Sequence, residues 1–239
     1  MKLAVFADVH SNIKALKTVL KDIKGQDVER IFCAGDLVGY APFPNEVIDL
    51  IRKEKILTVM GNYDDGVGNM RIICGCDYKD EYAQRLGEQS IAWTKEETTR
   101  ENKEFLRNLP EKIRFNTENY RGLIVHGSPR RLNEYLYEDL EEDYFLEILD
   151  EFEADILVCG HTHKPYFTVL AGNKFVINVG SVGKPKHGNP NAVYALIEVG
   201  SSVAVQFKEV PYDYEAVARA IEVTSLPDEF ADLVRKGTG

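Results

Sequence analysis

Short stretches in which apolar residues run together or alternate with polar ones predict strands along the first half of the chain. Three such stretches come early, at residues 2–7, Arg30–Ala34 and Lys55–Met60. Two helices are predicted between them, one from apolar residues at helical spacing over residues 13–23 and one over Pro44–Lys53, with proline in its first turn. This alternation of strand and helix predicts a parallel sheet flanked by helices.

Residues 65–110 interrupt this alternation and predict a mostly helical insertion or lid. Tyr82, Leu86 and Trp93 are spaced to share one face of a helix, and a charged helix follows that ends before Pro110. The pattern then predicts a strand, a helix and a strand again, in the stretches Arg121–Val125, Asp139–Phe152 and Asp155–Cys159.

The last third of the chain changes to hairpins. Tyr166–Leu170 and Lys174–Asn178 flank Ala-Gly-Asn, and Ala192–Val199 and Val203–Val210 flank Gly-Ser-Ser. Strand–helix alternation followed by hairpins predicts two sheets packed together with helices outside. We expect residues 1–239 to form a single α/β domain that contains the helical insertion at 65–110.

Composition narrows the classes of function. The net charge of -10 and the lack of a lysine- or arginine-rich block indicate no general nucleic-acid-binding surface. No apolar run is long enough to span a bilayer, and the amino terminus lacks the features of a signal peptide, so we expect a cytoplasmic protein with no membrane partner. Cys33 and Cys159 lie in apolar runs and are expected to be buried thiols. Cys74 and Cys76 are expected to be dispensable for metal binding.

Five predicted strands each lead into residues that can bind a metal ion. These are Asp8-Val9-His10, Gly35-Asp36, Gly61-Asn62-Tyr63-Asp64, His126-Gly127 and Gly160-His161-Thr162-His163. Ligand sites in α/β proteins form beyond the carboxyl ends of strands, so these segments are expected to meet. In an extended segment residues i and i+2 point the same way, which predicts that Asp8 and His10 address one point, and that His161 and His163 do so too.

The predicted donors are oxygens and imidazole nitrogens, a set that suits zinc, manganese or iron. Seven ligands exceed the needs of one such ion but are natural for two ions about 3.5–4 Å apart, which clamp the attacking and leaving oxygens of a phosphoryl displacement. The sequence therefore predicts a two-metal site for phosphate-ester chemistry.

The ordered motifs D-x-H, G-D, G-N-x-D, H-G and G-H-T-H resemble those of the calcineurin-like metallophosphoesterases from Lys2 to about Gly183. The stretches GDLVGYAPFPNEV, VHGSP and NVGSVG look like the small prokaryotic branch of phosphodiesterases and phosphatases. The resemblance implies a four-layer αββα sandwich of two mixed sheets. It also implies hydrolysis of phosphodiester or phosphomonoester bonds.

The same resemblance implies which residues hold the two divalent transition metal ions. Asp8, His10 and His163 match the ligands of one ion, Asn62, His126 and His161 match those of the other, and Asp36 matches the bridging carboxylate. Asp36, Asn62 and His126 are also predicted to be catalytic, with a metal-bridging water or hydroxide as nucleophile. Manganese is the first choice of metal, with iron, zinc, nickel and cobalt as alternatives.

The residues that contact the small phosphate-ester substrate are less clearly marked. Many relatives carry a histidine where this chain has Tyr63, so the resemblance does not identify the proton donor, and we expect Tyr63 to line the pocket. Arg130 is predicted to steady a phosphate, whereas Asn12 is predicted either to contact substrate or to cap the first helix. His187 is expected to lie in a solvated loop.

Two alternatives to a phosphodiesterase or phosphatase follow from the same resemblance. One is hydrolysis of dinucleoside polyphosphates, which a related branch performs. The other is a non-catalytic scaffold of the same fold, although scaffolds of this kind tend to lose metal ligands and this chain keeps all the matching positions. The sequence does not indicate an oligomeric state.

Overall fold

The computed structural model describes residues 1–72, 75, 77–78 and 80–238. The strands of these residues are β1 (Lys2–Phe6), β2 (Arg30–Cys33), β3 (Leu57–Thr58), β4 (Ile113–Asn116), β5 (Arg121–Ile124), β6 (Ile156–Cys159), β7 (Tyr166–Leu170), β8 (Lys174–Asn178), β9 (Ala192–Val199) and β10 (Val203–Val210). Their helices are α1 (Ile13–Ile23), α2 (Pro44–Glu54), α3 (Asn62–Gly68), α4 (Glu81–Glu97), α5 (Arg100–Arg107), α6 (Glu142–Glu151), α7 (Tyr214–Glu222) and α8 (Glu229–Lys236).

The strands form two mixed five-stranded sheets, in the orders β10-β9-β1-β2-β3 and β4-β5-β6-β8-β7. In the first sheet β1, β2 and β3 run parallel, as the strand–helix alternation predicts, and the β9–β10 hairpin adds antiparallel strands beside β1. In the second sheet β5, β6 and β8 run parallel, with β4 and β7 antiparallel at the edges. Both predicted hairpins are confirmed.

Apolar residues on the facing sides of the two sheets form a shared core between them. Val5 and Phe32 from the first sheet meet Ile124, Val158 and Ile177 from the second. The outer face of the first sheet is covered by the apolar sides of α1, α2, α7 and α8, and the outer face of the second is covered by α6. The protein is therefore the four-layer αββα sandwich that the resemblance implies.

Two local expectations need correction. The strand expected over Lys55–Met60 is limited to Leu57–Thr58, because Met60 leaves the sheet and donates its N–H to the carbonyl of Pro110. The buried face of α4 does not include Tyr82, which is half exposed. It consists instead of Gly87, Ser90, Ile91 and Thr94. Small residues line this face because the loop at Tyr40 comes close enough to donate its N–H to the Ser90 hydroxyl.

The region expected to be a helical insertion contains α4 and α5. Cys74 and Cys76 lie outside the described residues, so their expected dispensability stays a prediction. Cys33 and Cys159 are buried free thiols, and burial raises the pKa of both. Among the described residues, no helix is both long and apolar enough to cross a membrane.

Asn12 caps α1 and ties it to two distant segments. Its Oδ1 accepts from the N–H of Ala15 at 3.0 Å, and its Nδ2 donates to the carbonyl of Gly183 at 3.1 Å and to the hydroxyl of Tyr212 at 3.0 Å. Asn12 is fully buried and does not line the cavity described below. Of its two predicted roles, the structure shows the cap.

We therefore predict that Asn12→Ala lowers the free energy of unfolding by roughly 2 kcal/mol or more. Loss of the cap costs about 1 kcal/mol, and leaving a buried carbonyl unpaired adds roughly 1–3 kcal/mol. Asp213→Ala is the control, because exposed Asp213 caps α7 through the N–H of Ala216 alone. Urea unfolding of both variants should show about 1 kcal/mol for Asp213→Ala. Equal losses in the two would contradict the bridging role of Asn12.

Candidate metal centre

Backbone hydrogen bonds hold the loops after β1, β2, β5 and β6 beside one another. Asp8 donates its N–H to the carbonyl of Gly35, and His10 donates to the carbonyl of Asp36, which fixes the first two loops together. Within the second sheet, Gly160 donates to the carbonyl of His126, and across the two sheets Gly183, which follows β8, donates to the carbonyl of Asp8. The carboxyl ends of strands from both sheets thus meet at one point, as the sequence predicts.

The first cluster of potential ligands there is Asp8, His10 and His163, all buried. The Nε2 atoms of His10 and His163 are 3.2 Å apart. Oδ1 of Asp8 lies 3.3 Å from Nε2 of His163 and 3.8 Å from Nε2 of His10. All three donor atoms can reach a single ion.

The second cluster is Asp36, His126 and His161, also buried. Oδ2 of Asp36 lies 3.4 Å from Nε2 of His126, which in turn lies 2.9 Å from Oδ1 of Asn62. The same Oδ2 of Asp36 is 3.8 Å from Nε2 of His10 in the first cluster. Asp36 therefore lies between the two clusters.

Backbone carbonyls fix which ring nitrogen of three histidines carries the proton. Nδ1 of His10 donates to Val38 at 3.0 Å, Nδ1 of His126 to Ala34 at 2.8 Å, and Nδ1 of His163 to Lys184 at 2.5 Å. Nε2 of each ring faces the cluster, and it carries a lone pair whenever the ring is neutral. Lone pairs of His10 and His163 thus confront each other, which a cation between them would relieve.

In each cluster, one buried polar atom has no hydrogen-bond partner among the described residues. They are Oδ1 of Asp8 and Nε2 of His161. Leaving a buried polar atom unpaired costs roughly 1–3 kcal/mol, so such atoms need an explanation. Ligation of a divalent ion supplies one. The donors are carboxylate oxygen and imidazole nitrogen, which fits zinc, manganese or iron.

Five of the predicted ligands have a left-handed backbone. They are Asp8 (φ 53°), His10 (φ 47°), Asp36 (φ 55°), His161 (φ 67°) and His163 (φ 62°). The premise of extended segments is therefore wrong. Asp8 and His10 do meet in one cluster, but His161 and His163 turn into different ones. Such conformations cost energy in residues other than glycine and persist where the surrounding fold enforces them, most often at functional sites.

Burial sets the charge of most of these groups. It lowers the pKa of His10 to about 3 and also lowers the pKa values of His161 and His163, so these rings are neutral. It raises the pKa of Asp8. Burial alone would lower the pKa of His126, but the adjacent carboxylate of Asp36 outweighs it and raises this pKa to about 9. Without a cation, protonation of His126 relieves the contact of its Nε2 with Asn62 and Asp36.

Asp64 positions the loop that carries Asp36. Its carboxylate accepts from the N–H groups of Asp36, Leu37 and Gly61, each at 2.9 Å. Oδ1 of Asp36 in turn accepts from the N–H of Tyr63 at 2.8 Å, which leaves Oδ2 directed at the two clusters. Burial and the nearby charge of Asp36 raise the pKa of Asp64 to about 7.

A cavity of about 240 Å³ opens onto the clusters. His10, Asp36, Asn62, His161 and His163 line it, and so does Tyr63, as expected. The ring of Tyr63 stands edge-on to that of His10, with centroids 5.5 Å apart.

Arg130 is not brought to this cavity. Its guanidinium pairs with Glu147 and Glu151, both on α6, and lies over the ring of Tyr144. These carboxylates neutralise the positive charge of the guanidinium, which was predicted from the sequence to bind a phosphate. His187 is exposed and does not line the cavity either.

Several cavity residues were not identified from the sequence. Lys184 and Lys186 line the cavity, and Lys184 also supplies the carbonyl that orients His163. The ring of Tyr135 packs on that of His161 with centroids 4.0 Å apart. Two lysines directly after the glycine-rich stretch NVGSVG were a usable signal, whereas Tyr135 carries no local pattern that sets it apart.

Comparison with known proteins identifies the family. The model of the calcineurin-like phosphoesterase superfamily domain matches residues 1–202. The chain belongs to this superfamily. Membership implies divalent metal ions, and the two clusters of the structure are candidate places for them.

The whole chain is also similar to superfamily members and neighbours from archaea and bacteria. The uncharacterized protein MJ0912 of Methanocaldococcus jannaschii is 34% identical over 242 residues, which cover 95% of this chain and 94% of that protein. A metallophosphoesterase from Sphaerobacter thermophilus is 27% identical, with 99% of each chain covered and a TM-score of 0.78. The hypothetical protein PH1004 of Pyrococcus horikoshii OT3 shows the same fold. It is 24% identical, with a TM-score of 0.84 and with 99% of this chain and 98% of that one covered.

Gly61 allows a test of how the position of Asp36 controls metal binding. A Cβ at residue 61 would lie 2.1 Å from Oδ1 and 2.2 Å from N of Asp36, so Gly61→Ala must displace this carboxylate. We expect its affinity for Mn²⁺, measured by titration calorimetry, to fall by about 10–100-fold. Gly200→Ala is the control, since a Cβ there meets nothing within 4 Å. Equal affinity in the two folded variants would show that the Asp36 carboxylate does not hold metal.

Proposed function

We propose that this protein is a phosphoesterase that hydrolyses a small phosphodiester or phosphomonoester with two divalent metal ions. The observation that carries the proposal is the place of Asp36, whose Oδ2 lies 3.4 Å from Nε2 of His126 and 3.8 Å from Nε2 of His10. A carboxylate shared between two ligand clusters is what a two-metal site requires.

Asp8, His10 and His163 would hold one ion and Asn62, His126 and His161 the other, with Asp36 serving both. Ions bound there would acidify a water to serve as nucleophile and compensate the charge that builds on the phosphoryl oxygens. Because the donor set is oxygen and imidazole nitrogen, manganese is the ion to test first, with iron, zinc, nickel and cobalt next.

The protein itself would bind and orient the ester. Lys184 and Lys186 place positive charge at the cavity and act electrostatically on His163, which favours an anionic substrate. Within the cavity, a bound ester would be partly removed from bulk water. This strengthens the electrostatic interactions within it.

The two alternatives are less well supported. Ligand cavities usually measure about 300–1,000 Å³, so a cavity of about 240 Å³ favours one small ester over a molecule that carries two nucleosides. A scaffold function would not require the buried, mutually facing donors of the two clusters. Their convergence supports hydrolysis.

The two-metal proposal predicts about two Mn²⁺ ions per chain after reconstitution, measured by elemental analysis. Asp36→Asn, which keeps the shape of the side chain but removes its charge, and Asp36→Ala should both bind fewer ions. Their turnover should fall by about a hundredfold or more, because one carboxylate serves both ions. Full activity of the chelated protein, or normal turnover of Asp36→Ala, would refute the proposal.

A second prediction concerns Tyr63 and the leaving group. A general acid typically contributes about 10²–10⁴-fold, and a phenol with a pKa of about 10 is a poor donor at neutral pH. Nitrophenolate leaves without a proton, so Tyr63→Phe should change nitrophenyl ester hydrolysis little. We expect the wild-type rate to fall steeply as the pKa of the leaving group rises, and Tyr63→His to gain most on alkyl esters.

The measurement is a series of esters with leaving groups of increasing pKa, run on wild type, Tyr63→Phe and Tyr63→His. A selective loss of alkyl esters in Tyr63→Phe would identify the tyrosine as the acid and contradict the prediction.

A further inference from the structure

The cavity has a charged end and an apolar end. At the charged end lie the two ligand clusters and the two lysines, and Lys186 acts electrostatically on Asp8, His161 and His163. The apolar end is formed by side chains that have no donor role in either cluster. We call these Tyr40, Tyr78, Leu86, Phe230 and Leu233 the apolar wall.

Tyr40 connects the two ends. Its ring meets that of His10 edge-on at a centroid distance of 4.9 Å, and meets that of Phe230 edge-on at 5.2 Å. The ammonium of Lys184 lies over the same ring at 4.6 Å. A molecule whose phosphate reaches the ligand clusters would therefore extend its organic part past Tyr40 toward Phe230.

Helix α8 contributes Phe230 and Leu233, although it lies beyond the residues that match the superfamily model. Phe230 is buried in the core layer on the outer side of the first sheet, and Leu233 packs against that layer. The hydroxyl of Tyr82 on α4 donates to Glu229 at the start of α8, which ties the two helices together beside the cavity. The carboxyl-terminal part of this chain thus contributes two of the five residues of the apolar wall.

Helix α4 contributes Leu86 and makes room for Tyr78. A Cβ at Gly87 would lie 1.9 Å from the Tyr78 hydroxyl oxygen, so this ring fits only against a glycine. Glycine inside a helix costs about 1 kcal/mol relative to alanine, so propensity alone does not favour it at this position. The close approach of Tyr78 gives Gly87 a packing role, and Tyr78 is thereby held at the cavity.

We propose that the apolar wall is a subsite for an aromatic group esterified to the phosphate, which makes the substrate an aryl, arylalkyl or heteroaryl phosphate ester. The assignment rests on the proposed function, since that function places the phosphate at the ligand clusters. Ligand sites combine apolar and aromatic walls with a few polar groups that fix orientation, and this cavity has that division. A substrate ring that met Tyr40 or Phe230 edge-on would adopt an arrangement that aromatic rings prefer. The volume of about 240 Å³ suits one ring system.

Benzyl phosphate and methyl phosphate test the subsite, because their leaving alcohols have similar pKa values and differ in the ring. We expect wild type to prefer benzyl phosphate in kcat/KM by about tenfold or more, the scale of discrimination by an apolar pocket. Phe230→Leu, which keeps apolar volume but removes the ring, and Leu233→Ala should each reduce this preference several-fold. Val234→Ala is the matched control, since Val234 is buried on α8 but does not line the cavity.

Binding of phenylphosphonate and methylphosphonate to the manganese-loaded protein separates the subsite from the reaction, because neither is hydrolysed. If phenylphosphonate binds more tightly than methylphosphonate and Phe230→Leu weakens that binding, the subsite is supported even without hydrolysis. Absence of ester cleavage in that case would refute only the proposed function. Hydrolysis of both esters without preference, a preference unchanged in Phe230→Leu and Leu233→Ala, or failure to bind either phosphonate would overturn the subsite.

Discussion

The rest of this structure depends on one constraint, which is that buried atoms able to bind a metal ion face one another at short distances. The unprotonated nitrogens of His10 and His163 lie 3.2 Å apart, and Nε2 of His126 faces oxygens of Asn62 and Asp36. The contact of the two neutral rings is unfavourable unless a cation lies between them, and the contacts of His126 need either a proton on its Nε2 or a cation. Backbone carbonyls hold the rings in this orientation, and loops pinned to one another by backbone hydrogen bonds hold the carbonyls. The fold thus keeps in place an arrangement that is unstable by itself, and cation binding is what it favours.

The place of this arrangement follows from the sheets. Parallel strands present their carboxyl ends at one edge, so strand-end residues far apart in the chain converge once the sheets pack. For that reason the sequence could predict the convergence of Asp8, His10, Asp36, His126, His161 and His163. The two sheets and both hairpins could be predicted as well, from the strand patterns and the turns between them. The spacing of two residues within a motif did not, however, determine which cluster each side chain joins. Left-handed backbone at His161 and His163 sends neighbouring imidazoles to different clusters, and local sequence gave no sign of it.

What the sequence did not reveal depends on contacts between distant segments. Arg130 was predicted from the sequence to bind a phosphate. Glu147 and Glu151 follow it by more than fifteen residues, and they pair with it only because α6 packs beside its loop. Phe230 likewise has no pattern of its own that points to a site and reaches the cavity through the packing of α8. The ambiguity of Asn12 was resolved in the same way, by its bonds to Gly183 and Tyr212.

Helix α8 has a consequence for how proteins with this architecture can diverge. Every donor of the two clusters comes before residue 164, whereas Phe230 and Leu233 come after residue 229. These two residues of the apolar wall are therefore encoded in a stretch of the polypeptide separate from that of the ligand clusters. Substitutions in the terminal helix can reshape the far end of the cavity without moving any of the backbone carbonyls that orient the imidazoles. A lineage that exchanged this helix would change that end of the cavity while keeping both ligand clusters.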